Sequence, residues 1–195
     1  YQDPVAMFRK GIFHLVSAHT GTGYMTILNR QFINEWSPLC LAVILIAMAV
    51  GGSVSSTTGA IKVFRIGILF KALRQQVKKM MVPESGTVIQ RFHHVKDLLL
   101  SDKMINSAAM ITICFVALYI FGAIVGMYFG YPFLDSVFES ISAAANVGLS
   151  CGITNPSMPT VLKITYILQM WVGRLEFMSV FALIGFLMSW VKGKA

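Results

Sequence analysis

The sequence predicts an all-α membrane protein built from repeated units of helix, re-entrant loop and helix, with one membrane-crossing helix broken in its middle. Three observations carry this. Of 195 residues, 56% are hydrophobic and 12% charged, and the mean hydropathy is +0.70, a composition suited to lipid. Met104 to Phe129 and Val161 to Val191 are both longer than the roughly 20 apolar residues a bilayer crossing needs. Phe13 to Tyr24 (FHLVSAHTGTGY) and Phe138 to Leu149 (FESISAAANVGL) repeat each other at a constant offset of 125 residues, with Phe, Ser and Gly in matching places. A period that long, set in apolar sequence, marks a duplicated membrane unit and not a solenoid.

The elements follow in order. Met7 to Ala18 is amphipathic, too polar and too short to cross, and runs into Thr20-Gly21-Thr22-Gly23-Tyr24. The polar stretch from Tyr24 to Ser37 belongs outside. Leu39 to Val50 is apolar but too short to cross alone; it ends in Gly51-Gly52-Ser53-Val54-Ser55-Ser56-Thr57-Thr58-Gly59 and resumes as Ile61 to Leu69. Backbone freed at membrane depth is tolerated only where it lines water or is buried in protein, so Pro38 to Phe70 reads as one broken crossing. Lys71 to Lys103 is a connection with a helix and a turn at Pro83-Glu84-Ser85-Gly86. Met104 to Phe129 crosses without a charge. Phe133 to Ala145 then repeats the short amphipathic element, Asn146 to Ser150 the turn, and Gly152 to Thr160 forms an outer loop with Pro156 and Pro159. Val161 to Val191 crosses back, tilted or kinked, with Arg174 and Glu176 near its middle.

The net charge is +8, but nine of the sixteen basic residues lie between Lys62 and Lys103, and Lys192 and Lys194 sit at the end of the chain. The predicted crossings place both basic regions on one side, the cytoplasmic side by the positive-inside rule. Topology and attraction to anionic lipid account for the charge better than nucleic-acid binding does. Cys40, Cys114 and Cys151 have no metal-ligand spacing; the first two read as small buried thiols in apolar helices. There is no nucleophile with a base, no metal cluster and no phosphate loop, so the chain reads as no enzyme. With no signal-peptide pattern and no initial Met, it reads as a piece of a longer polypeptide.

The two short elements with their glycine turns have a physical use. A cation crossing a membrane exchanges its hydration shell for fixed oxygens, which a loop of backbone carbonyls supplies. Alternating the carbonyl directions demands backbone angles that favour glycine, and the half-helix before each loop points its partly negative C-terminus at the cation. Helix, re-entrant half-helix with a glycine turn, helix is the pore unit of potassium channels. Thr20-Gly21-Thr22-Gly23-Tyr24 resembles their filter loop, and Ala145-Asn146-Val147-Gly148-Leu149 is its diverged partner. Non-identical repeats argue against an ordinary tetrameric channel.

With the paired loops, the segment Gly51 to Lys62 and the stretch Trp171-Val172-Gly173-Arg174-Leu175-Glu176-Phe177, the chain resembles the C-terminal half of a Trk/Ktr/HKT-type potassium transporter subunit. Ser55 and Ala60 stand where that family usually has glycine. The resemblance implies four pore repeats around one ion path. Residues 1–70 would be the third repeat without its first helix, 71–103 a cytoplasmic connection, and 104–195 the complete fourth. It implies potassium as the transported ion, held at the backbone carbonyls of Thr20, Gly21, Thr22, Asn146 and Val147, with no bound cofactor. It implies a gate in the broken helix formed by Gly51, Gly52, Ser53, Ser55, Ser56, Thr57, Thr58 and Gly59, with Arg174 facing the path below the filter. It also implies a multi-pass protein of the plasma membrane that works as a homodimer with a cytoplasmic nucleotide-binding regulatory ring. Two filter loops cannot surround an ion in the family's way, so this polypeptide alone is expected not to conduct. A sodium-permeable relative and a non-conducting scaffold are the other readings; whether transport is channel-like or ion-coupled is left open.

An arginine at mid-span normally faces a bundle interior or a water-filled cavity. Glu176 is a candidate partner for Arg174, though positions two apart point to different helix faces; a structural ion pair with another helix is the alternative. Lys62 and Arg65 read as interface anchors. Asp135 and Glu139 precede the second loop, either drawing cations to the outer mouth or serving as cap and dipole partners. His19 reads as a packing residue and His93-His94 as solvated.

Overall fold

The computed structural model describes residues 4–26, 38–54, 56–81, 91–94 and 96–193. Within them run α1 (Pro4–Thr20), α2 (Pro38–Ala49), α3 (Val63–Met81), β1 (Arg91–His94), β2 (Lys96–Leu99), α4 (Asp102–Tyr128), α5 (Phe133–Ala144) and α6 (Thr160–Val191). The all-α expectation holds, with one addition. The connection contains the expected helix, the inner part of α3, but also a small antiparallel ladder pairing Arg91 with Leu99 and His94 with Lys96. The turn expected at 83–86 and the polar stretch at 27–37 lie outside the described residues.

The crossing α4 starts at Ser101, whose hydroxyl accepts the Met104 N–H, with Asp102 in the first turn against the positive helix end. Ala108, Ile111, Phe115, Tyr119, Gly122 and Gly126 are buried, a seam at intervals of three and four that gives the helix one protein-facing stripe. The intervening residues Ile113, Val116, Ile120 and Ile124 are exposed apolar groups, as lipid requires. Phe115 is fully buried and meets Phe177 edge-on at 5.0 Å, which centres the core between α4 and α6.

Helix α5 is enclosed. From Phe138 to Ala144 every residue is buried, because α4 packs on one side and α6 on the other. Ser140 Oγ donates to the Tyr119 carbonyl at 2.7 Å, and Gln169 Nε2 donates to the Leu118 carbonyl at 2.6 Å and to Ser140 Oγ at 3.1 Å. These bonds tie three helices together where lipid offers no polar partner. On the other side α1 packs on α2, α3 on α4, and α2 reaches α5.

Both expected irregularities are present. Between Ala49 and Val63 the chain leaves the helix, as the glycine, serine and threonine run predicts. Helix α6 kinks at Glu176, where φ is +58° and ψ 150°. Cys40 and Cys114 are half-buried and not fully buried as expected.

Candidate cation filter and gate

Helices α1 and α5 end in the same turn. Thr22 N–H donates to the Ser17 carbonyl at 3.0 Å, and its counterpart Val147 N–H donates to the Ser142 carbonyl at 3.0 Å. Gly21 N–H reaches the Ala18 carbonyl at 3.3 Å, and Asn146 N–H the Ala143 carbonyl at 3.1 Å. The backbone then turns left-handed at the same two places in each loop: φ is +69° at Gly21 and +76° at Gly23, +56° at Asn146 and +90° at Gly148. Asparagine is among the few non-glycine residues that adopt this region readily, so Asn146 stands in for Gly21. Ser17 Oγ donates to the Tyr24 carbonyl at 2.8 Å and Ser142 Oγ to the Leu149 carbonyl at 2.5 Å. The serine of each repeat thus ties the loop's far end to its half-helix. Sequence reasoning noted the matched serines without a role for them.

Among the described residues, the carbonyls of Gly21, Thr22, Asn146 and Val147 accept no hydrogen bond, which leaves their lone pairs available. The Thr20 carbonyl differs, since it accepts the Thr58 hydroxyl at 3.3 Å. The loops touch: a Cβ on Gly23 would lie 1.9 Å from the Val147 oxygen.

The broken segment runs beneath the two half-helices. Gly52 N–H donates to the His19 carbonyl at 3.0 Å and Gly59 N–H to the Ala145 carbonyl at 3.1 Å. One carbonyl at the end of each half-helix, that of His19 in α1 and that of the C-cap Ala145 after α5, is thus occupied by this segment. The segment closes on itself as well, with Ile61 N–H on the Ala49 carbonyl at 3.1 Å and Val63 N–H on the Gly52 carbonyl at 3.3 Å. These bonds satisfy part of its backbone within protein, as irregular chain at membrane depth requires. Ser56 Oγ donates to the Ser53 carbonyl at 2.9 Å, a local turn; Ser55 lies outside the described residues. Gly59 fits against Gly173 and Asn146, where a Cβ would come within 2.7 Å of the Gly173 oxygen.

Arg174 donates through Nη1 to the Thr57 carbonyl, which links α6 to the broken segment. Glu176 does not neutralise it. At the kink, the Glu176 carboxylate takes Lys62 Nζ at 2.6 Å and Arg65 Nη2, and Lys62 Nζ also donates to the Val54 carbonyl at 2.8 Å. Lys62 and Arg65 are therefore not interface anchors; their side chains are 10% and 14% exposed, packed against α6. A cavity of about 500 Å³ lies beside this cluster, lined also by Phe64, Ile68, Met104 and Ile111, and includes none of the loop residues.

Glu139 is 3% exposed, which removes it from the outer mouth. It receives Ser150 Oγ, Thr154 Oγ1 at 2.8 Å and the Cys151 N–H at 3.0 Å. Burial, with the charges of Glu139 and Asp135, pushes the Cys151 thiol well up, so it stays a neutral S–H and points at the Asp135 carbonyl at 3.4 Å. Asp135 is partly exposed at the start of α5, and His19 is exposed. The side chains of His93 and His94 lie outside the described residues. Sequence reasoning missed Gln169 as a bridge, since a lone glutamine in an apolar run carries no pattern.

The family model of the TrkH cation transport proteins matches residues 4–188. An uncharacterized cation transporter of Methanocaldococcus jannaschii is 32% identical over 172 residues, covering 88% of this chain and 35% of that protein. The Trk system potassium uptake protein TrkH of Escherichia coli is 25% identical over 187 residues, 94% of this chain and 37% of its own length. The crystal structure of the potassium transporter TrkH from Vibrio parahaemolyticus has the same fold over 94% of this chain and 38% of its own, with a TM-score of 0.77 at 20% identity. The chain thus spans little more than a third of the length of these relatives.

Proposed function

The chain belongs to the TrkH family of cation transport proteins, and on that premise we propose that it forms part of a potassium-uptake pore in the plasma membrane. Residues 1–70 contribute the third pore repeat, 71–103 a cytoplasmic connection and 104–195 the fourth repeat of a larger subunit. Two further repeats complete the ring, and subunits pair as dimers on a cytoplasmic nucleotide-binding ring.

The observation that carries the reading is the match between the two loops: left-handed backbone at Gly21 and Gly23 repeated at Asn146 and Gly148, with the same serine tie at Ser17 and Ser142. Two unrelated surface turns have no reason to agree in backbone angle, register and brace. Dehydration is offset by the carbonyls of Gly21, Thr22, Asn146 and Val147, with Thr20 contributing when Thr58 releases it. The segment Gly51 to Gly59 closes the path below, held by Gly52 and Gly59 on the half-helices and by Arg174 on Thr57. The Arg174 charge hinders a cation there, and the path opens when these bonds are given up.

The test is growth on low potassium and rubidium uptake, with sodium as competitor, in cells lacking their own uptake systems. The full-length parent protein is compared with its Gly23→Ser and Gly148→Ser variants. Rescue by the parent with loss of affinity or selectivity in the variants supports the filter. Uptake indifferent to both changes removes the loops from the filter, and a parent that is inserted but never transports favours a scaffold.

A further inference from the structure

We propose that Glu139 is a positioning residue for ion selection, fixing the shape of the second filter loop by gripping Ser150, Cys151 and Thr154, which follow it. The proposal rests on the filter reading above.

Glu139 and Ser142 are three residues apart on α5 and so share a face. Ser142 holds Leu149, the last residue of the loop. Glu139 takes over from there: Ser150 Oγ, Cys151 N–H at 3.0 Å, Thr154 N–H at 3.5 Å and Thr154 Oγ1 at 2.8 Å all aim at its carboxylate. Among the described residues the ion pairs run to Glu176 and none to Glu139, so its charge is met by loop donors alone. A buried carboxylate without a cation is expensive. An apolar side chain would fill the same volume at lower cost, so simple packing does not account for it. What a carboxylate adds is short, directional, charge-assisted bonds that hold several donors at once.

The first repeat has a different group in the same place. His14 is the counterpart of Glu139 at the 125-residue offset and is buried; its Nδ1 donates to the Lys10 carbonyl of its own helix at 3.0 Å and lies 3.4 Å from Thr26 Oγ1. Thr26 is the counterpart of Cys151. The helix position that grips the chain past the second loop with a carboxylate and four donors thus carries, in the first repeat, an imidazole held mainly by its own helix. Carbonyl spacing and field govern which ion is preferred, so the firmer grip makes the second loop the more exacting of the two.

The experiment uses the full-length parent protein in cells lacking potassium uptake, reading rubidium uptake, its inhibition by sodium, and abundance in the membrane. Glu139→Gln keeps the size but turns an amide N–H₂ towards donors. The expected result is about a tenfold loss of preference for potassium over sodium, the size of losing a bond to a charged group, at parental abundance. Glu139→Asp keeps the charge and retains part of the preference. Ser150→Ala combined with Thr154→Val removes two donors and shifts selectivity in the same direction, adding little on top of Glu139→Gln because the groups act as one unit. Parental selectivity in Glu139→Gln, with altered selectivity in Gly148→Ser, overturns the brace and leaves the filter standing. Parental selectivity in Gly148→Ser as well removes the filter and the brace together. Should Glu139→Gln not reach the membrane, the Ser150→Ala and Thr154→Val pair decides: parental selectivity overturns the proposal, and a shift supports it.

Discussion

Gly23 and Gly148 occupy the same place in two loops, yet their surroundings ask different things of a substitution. At Gly148 nothing lies within 4 Å of an added Cβ, so Gly148→Ala meets only the strain of left-handed backbone, about 1–2 kcal/mol. At Gly23 the same methyl would sit 1.9 Å from the Val147 oxygen and push the loops apart. Gly23→Ala in the full-length protein is therefore expected to abolish rubidium uptake while Gly148→Ala retains uptake with altered selectivity, both checked at equal membrane abundance. Ser17→Ala removes the bond to the Tyr24 carbonyl, worth about 1 kcal/mol, and is expected to raise the rubidium concentration needed for half-maximal uptake. The glycines and serines were legible because a duplicated sequence compares itself at a fixed offset. The sequence offered Glu139 either as a cation attractor at the outer mouth or as a cap and dipole partner and missed its buried role as a loop anchor, because a carboxylate on a short amphipathic helix carries no signal of its burial.

Among the elements, the broken helix was legible and the kinked one only half so. Glycines with hydroxyl residues at membrane depth announce an unwound segment, and the break falls where they stand. The kink at Glu176 has no proline or glycine at its centre; an ion cluster with Lys62 and Arg65, more than 100 residues earlier in the chain, sits there. Glu176→Gln strips the charge from that half-buried cluster and is expected to cost about 1–3 kcal/mol, read as a lower melting temperature of the full-length protein in detergent. Gly173→Ala brings a methyl to 1.9 Å from the Ala144 oxygen and is expected to cost about 1–3 kcal/mol by overpacking, with the same readout. Arg174→Ala releases the Thr57 carbonyl without touching that cluster; its expected effect is faster uptake at low potassium, and unchanged uptake would separate Arg174 from the gate.

At the scale of the whole molecule, charge and apolarity divide the surface. Helices α4 and α6 carry exposed apolar faces, while Lys71, Arg74, Lys78 and Lys79 extend α3 beyond its apolar part. Reversing Arg74, Lys78 and Lys79 to glutamate is expected to abolish co-purification of a cytoplasmic regulatory ring with the full-length protein while leaving insertion intact; retained binding would free this helix from that interface. The small ladder from Arg91 to Leu99 was not foreseen, since a four-residue strand between charged residues has too little alternation to stand out from a loop.

Composition, the two apolar crossings, the interrupted helix and the duplicated loops were determined by the sequence alone, because each is a local pattern whose cause lies within a few turns of chain: hydrocarbon thickness, backbone satisfaction, or an angle that glycine permits. The partners of the charged groups were decided only by tertiary structure. That α5 is enclosed on all sides from Phe138 to Ala144, which cations Glu176 meets and where the last carbonyls of the half-helices go all depend on segments tens to more than a hundred residues away. Electrostatic and hydrogen-bond choices of that kind follow from distance in space, which a linear pattern does not encode.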